Sequence, residues 1–270
     1  MSMNSFHARA PQPRPKSPRA KERPAHAGLR ADQLLVERGL CPSRAVARRL
    51  IEAGRVTTAD GPVARPAQIL APDADLRVAG DEALRYVSRG GLKLAGALRH
   101  TGLRVRGRAC LDLGQSTGGF TDCLLQAGAA RVVGVDVGHG QLHPRLAGDP
   151  RVTTIEGLNA RTLTPAHLPL PRYDLLVGDL SFISLTLVLP QLRALVAAGG
   201  DLLLLVKPQF EVGPDKVGKG GIVRDAGHFP EVEAKLRTAA AACGLAVRDY
   251  FPSAIAGGDG NREFFIWMTP

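Results

Sequence analysis

An apolar run that stops abruptly in glycine constrains this chain more than any other feature. Residues 109–113 read A-C-L-D-L and run directly into Gly114, Gln115, Ser116, Thr117, Gly118 and Gly119; Phe120, Leu124 and Leu125 then recur at helical spacing. Such a stretch is a strand, a tight loop and a helix start, where backbone N–H groups without intrahelical partners can meet a ligand. A second apolar run, 131–135, closes in Asp136. An acidic residue roughly 20 residues beyond such a loop can bind ribose hydroxyls.

The rest of the second half repeats this alternation. Strands are expected at 109–113, 131–136, 152–156, 173–179 and 201–207. Helices fit between them, notably at 120–127 and 185–196, and another at 92–100 precedes the first strand. This is the pattern of a doubly wound, Rossmann-like parallel sheet in the α/β class. Two further strands, 245–251 and 263–268, are joined by a loop without a helix, which predicts an antiparallel last strand. The domain so defined spans 88–270, with 79–87 as a connector.

The preceding stretch, 29–78, reads as a small α+β domain. Asp32 is expected to cap a first helix and Gly39 to end it; Ser43 is expected to cap a second, with Val46, Ala47, Leu50 and Ile51 as its buried stripe. Short strands fit 55–58 and 76–78, with Asp60-Gly61 as a turn. Arg44, Arg48 and Arg49 share the exposed face of the second helix, where they can grip successive phosphates. Residues 1–28 hold six lysines and arginines, one acid and five prolines and no apolar core, so they are expected to be a disordered basic tail. The net charge of +10 suggests an anionic partner, with nucleic acid first in line.

Several classes are disfavoured. The four cysteines form no C-x-x-C pair, which fits a reducing cytoplasm and argues against a disulfide framework or a zinc knuckle. His139 and His143 lack a third ligand at plausible spacing, so no metal is expected. No apolar run reaches the roughly 18 residues of a membrane span, and the basic N-terminal residues lack the apolar region of a signal peptide.

The cofactor loop is D-L-G-Q-S-T-G-G rather than the G-x-G-x-x-G of hydride-transfer enzymes. Asp112 at the strand end can bind the amine of an amino-acid moiety, directly or through water. That favours S-adenosylmethionine over NAD, with Asp112, Gly114, Ser116, Thr117, Gly118, Gly119 and Asp136 as its expected contacts. Asp179 ends the fourth strand and should face the cofactor's reactive end, because open α/β sheets bind ligands beyond the carboxyl ends of their strands. Lys207 ends the fifth strand. An antiparallel last strand would start at that same edge, bringing Glu263 there, and Lys93 lies on the helix before the first strand. Two lysines and two carboxylates around a methyl donor suit a ribose 2′-hydroxyl. That acceptor is a poor nucleophile, and a lysine activates it only with a lowered pKa, which a second lysine and partial desolvation would produce. Cys41-Pro42 reverses the Pro-Cys order of pyrimidine C5 methylation. Asp-Leu-Ser-Phe replaces the Asp/Asn-Pro-Pro-Tyr loop of amine methylation.

The segment D-Q-L-L-V-E-R-G-L, S-R-A-V-A-R-R-L-I-E-A-G-R-V and D-G resembles an S4 RNA-binding domain, departing from its usual pattern at Ala31 and Ala59. Together with S-R-G-G-L-K-L, D-L-G-Q-S-T-G-G-F-T-D, V-G-D-L-S-F-I-S-L, L-V-K-P-Q-F-E, G-K-G-G-I-V-R-D and G-N-R-E-F-F, the chain resembles the TlyA (haemolysin A) family. These ribosomal-RNA 2′-O-methyltransferases join an S4 domain to an FtsJ-like methyltransferase domain. The resemblance implies a Lys93, Asp179, Lys207, Glu263 catalytic tetrad, S-adenosylmethionine as cofactor, and ribosomal RNA, in particular cytidine of 16S or 23S rRNA, as substrate in the cytoplasm. Arg30, Arg44, Arg48, Arg49, Arg55, Lys219 and Arg224 are the expected RNA contacts. Gln115 departs from the small residue common in the family loop and is expected to alter contacts near the cofactor. Glu156 and Asn159 fit either an adenine contact or a turn, Glu211 fits a supporting acid near Lys207, and Lys216 a phosphate contact. Two rivals follow: a membrane-lytic protein, suggested by the family's haemolysin name, and an inactive RNA-binding scaffold.

Overall fold

The computed structural model describes residues 28–78, 85–257 and 260–270. The expected basic tail, but for Gly28, and residues 79–84 of the expected connector lie outside the described residues.

The small N-terminal unit contains β1 (Leu29–Arg30), α1 (Ala31–Glu37), α2 (Arg44–Glu52), β2 (Val56–Thr58), β3 (Gly61–Pro62), β4 (Ile69–Leu70) and β5 (Arg77–Val78). Ser43 caps α2 by accepting from the Val46 N–H at 3.4 Å. The expected stripe of Val46, Ala47, Leu50 and Ile51 is buried against Leu34, Leu35 and Val56. Two expectations change. Asp32 does not cap α1: the cap is Arg30, and the Asp32 carboxylate is buried between the guanidinium groups of Arg30 and Arg44, 3.0 Å from each. The hairpin turn is Ala59-Asp60, because Thr58 pairs directly with Gly61.

The larger unit contains α3 (Arg89–Thr101), β6 (Ala109–Leu113), α4 (Gly119–Gln126), β7 (Arg131–Val135), α5 (Pro144–Ala147), β8 (Val152–Ile155), β9 (Tyr173–Gly178), α6 (Leu189–Leu195), β10 (Val196–Val206), α7 (His228–Ala242), β11 (Ala246–Pro252) and β12 (Phe264–Thr269). Its strands form one seven-stranded sheet in the order β11-β12-β10-β9-β6-β7-β8. The five central and right-hand strands are parallel, and β12 runs antiparallel to both β10 and β11, as expected for the last strand. The apolar run of β10 is buried on both faces. Leu202, Leu204 and Val206 join the core under α6 and α7, whereas Leu203 and Leu205 join the core under α3 and α4.

Three details differ from the sequence expectation. The expected helix 185–196 is a 3₁₀ turn, Leu185–Leu187, followed by α6; Pro190 at the start of α6 cannot continue an upstream helix. Strand β10 begins at Val196, with an irregularity before Asp201. Helix α7 is additional, and its signal is the buried i, i+4 stripe Val232, Leu236, Ala240. The chain leaves β6 toward β7 on one side while β9 lies on the other. The crevice beyond β6 and β9 is therefore the switch point where such sheets bind ligands.

Candidate active site

Two loops frame that crevice. The first follows β6, where Gly114 (φ +76) and Gly118 (φ +90) hold a left-handed backbone that side chains rarely adopt. A Cβ at Gly114 would also stand 2.8 Å from the Asp179 carbonyl oxygen, so the loop and the end of β9 approach as closely as glycine permits. A cavity of about 190 Å³ opens here, lined by Gly114, Ser116, Thr117 and Gly119 of the loop and by Asp179, Ser181 and Lys207 opposite.

Register explains the second loop cluster. Gly178, the last residue of β9, pairs with Leu113 and Leu204, which puts Asp179 beside the end of β6. Val206 pairs with Phe264, so Lys207 and Glu263 leave the sheet at the same edge. Glu263 is the residue just before β12 rather than its first. Lys93 reaches them from α3, whose Leu94, Ala95 and Ala97 are buried. Gly91 lets that helix lie against Tyr86, whose ring a Cβ there would meet at 2.3 Å.

The four expected catalytic side chains meet. Lys93 Nζ is 2.6 Å from Glu263 and 3.9 Å from Asp179, and Lys207 Nζ is 2.6 Å from Asp179. Asp179 thus bridges the two lysines. All four are largely shielded, with side-chain exposures from 4% to 23%, and two cations against two anions leave the cluster neutral. Shielded charges at these distances require one another, since removing one partner strands the other. Lys207 also donates a hydrogen bond to the Ser181 hydroxyl at 2.7 Å.

Other expected contacts are placed differently. Asp112 does not line the cavity. It is fully buried beneath the loop, where Oδ2 accepts from the Thr121 hydroxyl at 2.7 Å and Oδ1 has no partner. Burial pushes its carboxyl up to about 7, against the Thr121 hydrogen bond. Gln115 is likewise buried and donates to the Thr121 hydroxyl, filling the space above Gly134. Asp136 accepts from the Ser116 and Gly138 N–H groups, tying two loops together. Asn159 takes the turn role, capping a 3₁₀ turn through the Arg161 N–H. Glu156 accepts from the Gly140 N–H. Glu211 points away from Lys207 and binds Ser184, the Leu185 N–H and Lys235.

Among the expected RNA contacts, Arg48, Arg49 and Arg55 are exposed. Arg48 and Arg49 line a groove of about 730 Å³ that also reaches Ser88, Arg89 and Thr117. Arg30 and Arg44 keep exposed surface but engage Asp32, whose carboxyl they hold at about 2, through the Arg30 hydrogen bond first. Lys219 and Arg224 are exposed on the loop after Lys216, which itself pairs with Glu231. Among the described residues no group of three potential ligands could hold a metal ion.

Residues 86–269 match the FtsJ-like methyltransferase family and residues 29–76 match the S4 domain. The 16S/23S rRNA (cytidine-2′-O)-methyltransferase TlyA of Mycobacterium tuberculosis is 46% identical over 243 residues, covering 88% of this chain and 89% of that protein. The chain belongs to the TlyA family of FtsJ-like methyltransferases. Hemolysin A of Brachyspira hyodysenteriae is also similar, 35% identical over 236 residues that cover 87% of this chain and 98% of that one. A solved structure from Streptococcus thermophilus, named as a hemolysin, superposes with a TM-score of 0.70 at 39% identity, covering 90% of this chain and 89% of that chain.

This TlyA-family site holds residues that sequence reasoning did not single out. Phe182 is 90% exposed, yet its backbone is left-handed (φ +63), a conformation that costs a residue with a Cβ about 1–2 kcal/mol. It faces Phe210 at 5.2 Å between ring centroids, at the mouth of a second cavity of about 300 Å³ shared with Lys93, Lys207 and Glu263. Asn261 lies buried on that cavity. It accepts from the Val223 N–H at 3.0 Å and donates to the Gly221 carbonyl at 2.8 Å, fixing the glycine-rich loop there. The motif D-L-S-F-I-S-L marked the neighbourhood of Phe182, but nothing in a lone Phe announces a positive φ.

Proposed function

We infer that the chain transfers the methyl group of S-adenosylmethionine to a ribose 2′-hydroxyl of ribosomal RNA. One observation carries this: Lys207 stands in the wall between two cavities, one built by the glycine loop and the other by Lys93, Phe182, Asn261 and Glu263. A cofactor in the first and a ribose in the second would meet at Lys207. The glycine loop fits an amino-acid nucleoside, since its left-handed glycines bring the backbone up against Asp179 and α4 begins there without a side-chain cap, leaving N–H donors for a ligand. When bound, S-adenosylmethionine supplies a methyl carbon on a positively charged sulfur, which keeps the C–S electron pair as the methyl passes to oxygen.

The residues divide the remaining work. Lys207, after giving up one proton to solvent, accepts the 2′-hydroxyl proton, and Asp179 holds the resulting ammonium. Lys93, paired with Glu263, donates to the ribose oxygens and keeps them in line. Ser116, Thr117 and Gly119 line the cofactor side, and Asp136 has lone pairs left for ribose hydroxyls. The exposed Phe182 ring offers a face on which the target base can stack. Arg48, Arg49, Arg55, Lys219 and Arg224 would bind RNA phosphates, with Arg30 and Arg44 contributing from their exposed edges. The names of the Mycobacterium relative and of the Campylobacter jejuni 23S rRNA (cytidine-2′-O)-methyltransferase support a cytidine of ribosomal RNA as the target, and a ribosomal substrate fits a cytoplasmic location.

The Hemolysin A relative raises membrane lysis as the rival. Among the described residues no helix is long and apolar enough to cross a membrane. Dye release from liposomes by the purified chain would favour that rival. The direct test is methyl transfer from labelled S-adenosylmethionine to ribosomal subunits. Lys207→Ala should lose most transfer while retaining cofactor affinity, and normal turnover by that variant would sink the assignment.

A further inference from the structure

Lys207 touches two side chains, and they act on it differently. Asp179 Oδ1 is 2.6 Å from Nζ as an ion pair without hydrogen-bond geometry, so it supplies charge more than direction. The directed contact is the Ser181 hydroxyl, which accepts from Nζ at 2.7 Å. Ser181, like Lys207, lies on the walls of both the cofactor cavity and the acceptor cavity. We propose that Ser181 is the positioning residue that aims Lys207 at the ribose hydroxyl; the proposal rests on the methyl-transfer reading above.

A lysine side chain is long and flexible, and its charge can be neutralised from many directions. Coulomb attraction depends on distance alone, whereas a hydrogen bond weakens steeply away from linearity. A hydroxyl acceptor therefore selects one orientation of the amine where a carboxylate alone would allow several. With one N–H given to Ser181, the amine's lone pair is free for the acceptor's proton. Once Nζ has taken that proton, the N–H to Ser181 persists, so the same contact serves before and after transfer.

Ser181 is itself held on a short, fixed arm. The next residue, Phe182, turns the backbone into the left-handed region. Three residues on, the Ser184 hydroxyl donates to Glu211 at 2.6 Å, and the Leu185 N–H donates to the same carboxylate at 2.7 Å. Glu211 follows Lys207 by four residues. The two segments are thus stapled at both ends, by Lys207 to Asp179 and Ser181 and by Glu211 to Ser184 and Leu185.

Steady-state methyl transfer to ribosomal subunits and calorimetric cofactor binding test this in wild type, Ser181→Ala and Ser181→Thr. Ser181→Ala should lower kcat about 10- to 100-fold, the loss expected when a catalytic group is misaimed. KM for RNA and the cofactor Kd should stay within about twofold. Ser181→Thr, which keeps the hydroxyl, should recover most of kcat. Combined with Lys207→Arg, Ser181→Ala should add little further loss. Undiminished kcat in Ser181→Ala, a loss confined to KM, a parallel loss of cofactor affinity, or additive losses with Lys207→Arg would each overturn the role given to Ser181. A wild-type chain that transfers no methyl group to RNA would instead overturn the reading beneath it.

Discussion

Replacing Phe182 by glycine separates the backbone strain at this residue from the use of its ring. Glycine removes the left-handed penalty, about 1–2 kcal/mol. It adds about 0.5–1 kcal/mol of unfolded-state entropy and loses the tilted contact with Phe210, another 0.5–1 kcal/mol at about the usual value. Because the ring is 90% exposed, little buried area goes with it. These terms cancel to within about 1 kcal/mol, so the Tm should move by no more than about 2–4 °C. Stacking on a base is worth about 1–3 kcal/mol, so kcat/KM for RNA should fall about 5- to 150-fold. Phe182→Trp, which keeps an aromatic face, should retain most of it. Thermal unfolding of the free protein and steady-state transfer to ribosomal subunits are the assays. Undiminished kcat/KM, or a Tm lowered by far more than those few degrees, would show that the ring anchors the fold rather than the substrate.

Two further substitutions test the buried acids. Burial holds the Asp112 carboxyl at about 7, above an unfolded value near 3.9, so the folded state binds its proton more tightly. Its contribution to stability is full below about pH 4 and is lost as pH rises to about 7. Asp112→Asn should remove that slope and be more stable than wild type at pH 8 by about 2–4 kcal/mol in urea unfolding without cofactor; equal slopes would refute it. Asp32 has the opposite sign: held at about 2 by Arg30 and Arg44, its stabilisation is present above about pH 4 and is lost as pH falls toward 2. Because both arginines are partly exposed, Asp32→Asn should cost only about 1–2 kcal/mol, read as faster hydrogen exchange in α2. Unchanged protection would refute that pairing.

The edge of the sheet was legible because it depends on periodicity. Apolar runs ending in Asp179 and Lys207, and an antiparallel last strand, were enough to bring those two residues and Glu263 to one place. Side-chain direction was harder. Strand alternation in β6 sets Leu111 and Leu113 on one face and Asp112 with Cys110 on the other, under α4, where Thr121 meets it. Glu211, four residues after Lys207, would share its face on an α-helix, but Pro208–Phe210 form a 3₁₀ turn and the carboxylate swings to Ser184. Asp32 had the composition of a cap; its burial depends on Arg44, which only tertiary packing of α1 on α2 brings near. The Phe182 backbone depends on contacts between two loops and has no local signature.

The methyl group has one expected destination, the ribose 2′-oxygen. Ribosomal subunits lacking the modification, incubated with S-adenosylmethionine and this chain, can be mapped by the resistance of 2′-O-methylated linkages to alkaline cleavage. The account predicts new alkali-resistant positions at cytidines with the wild-type chain and none with Lys207→Ala. Methyl groups found on a base, or the same resistant positions produced by Lys207→Ala, would contradict it.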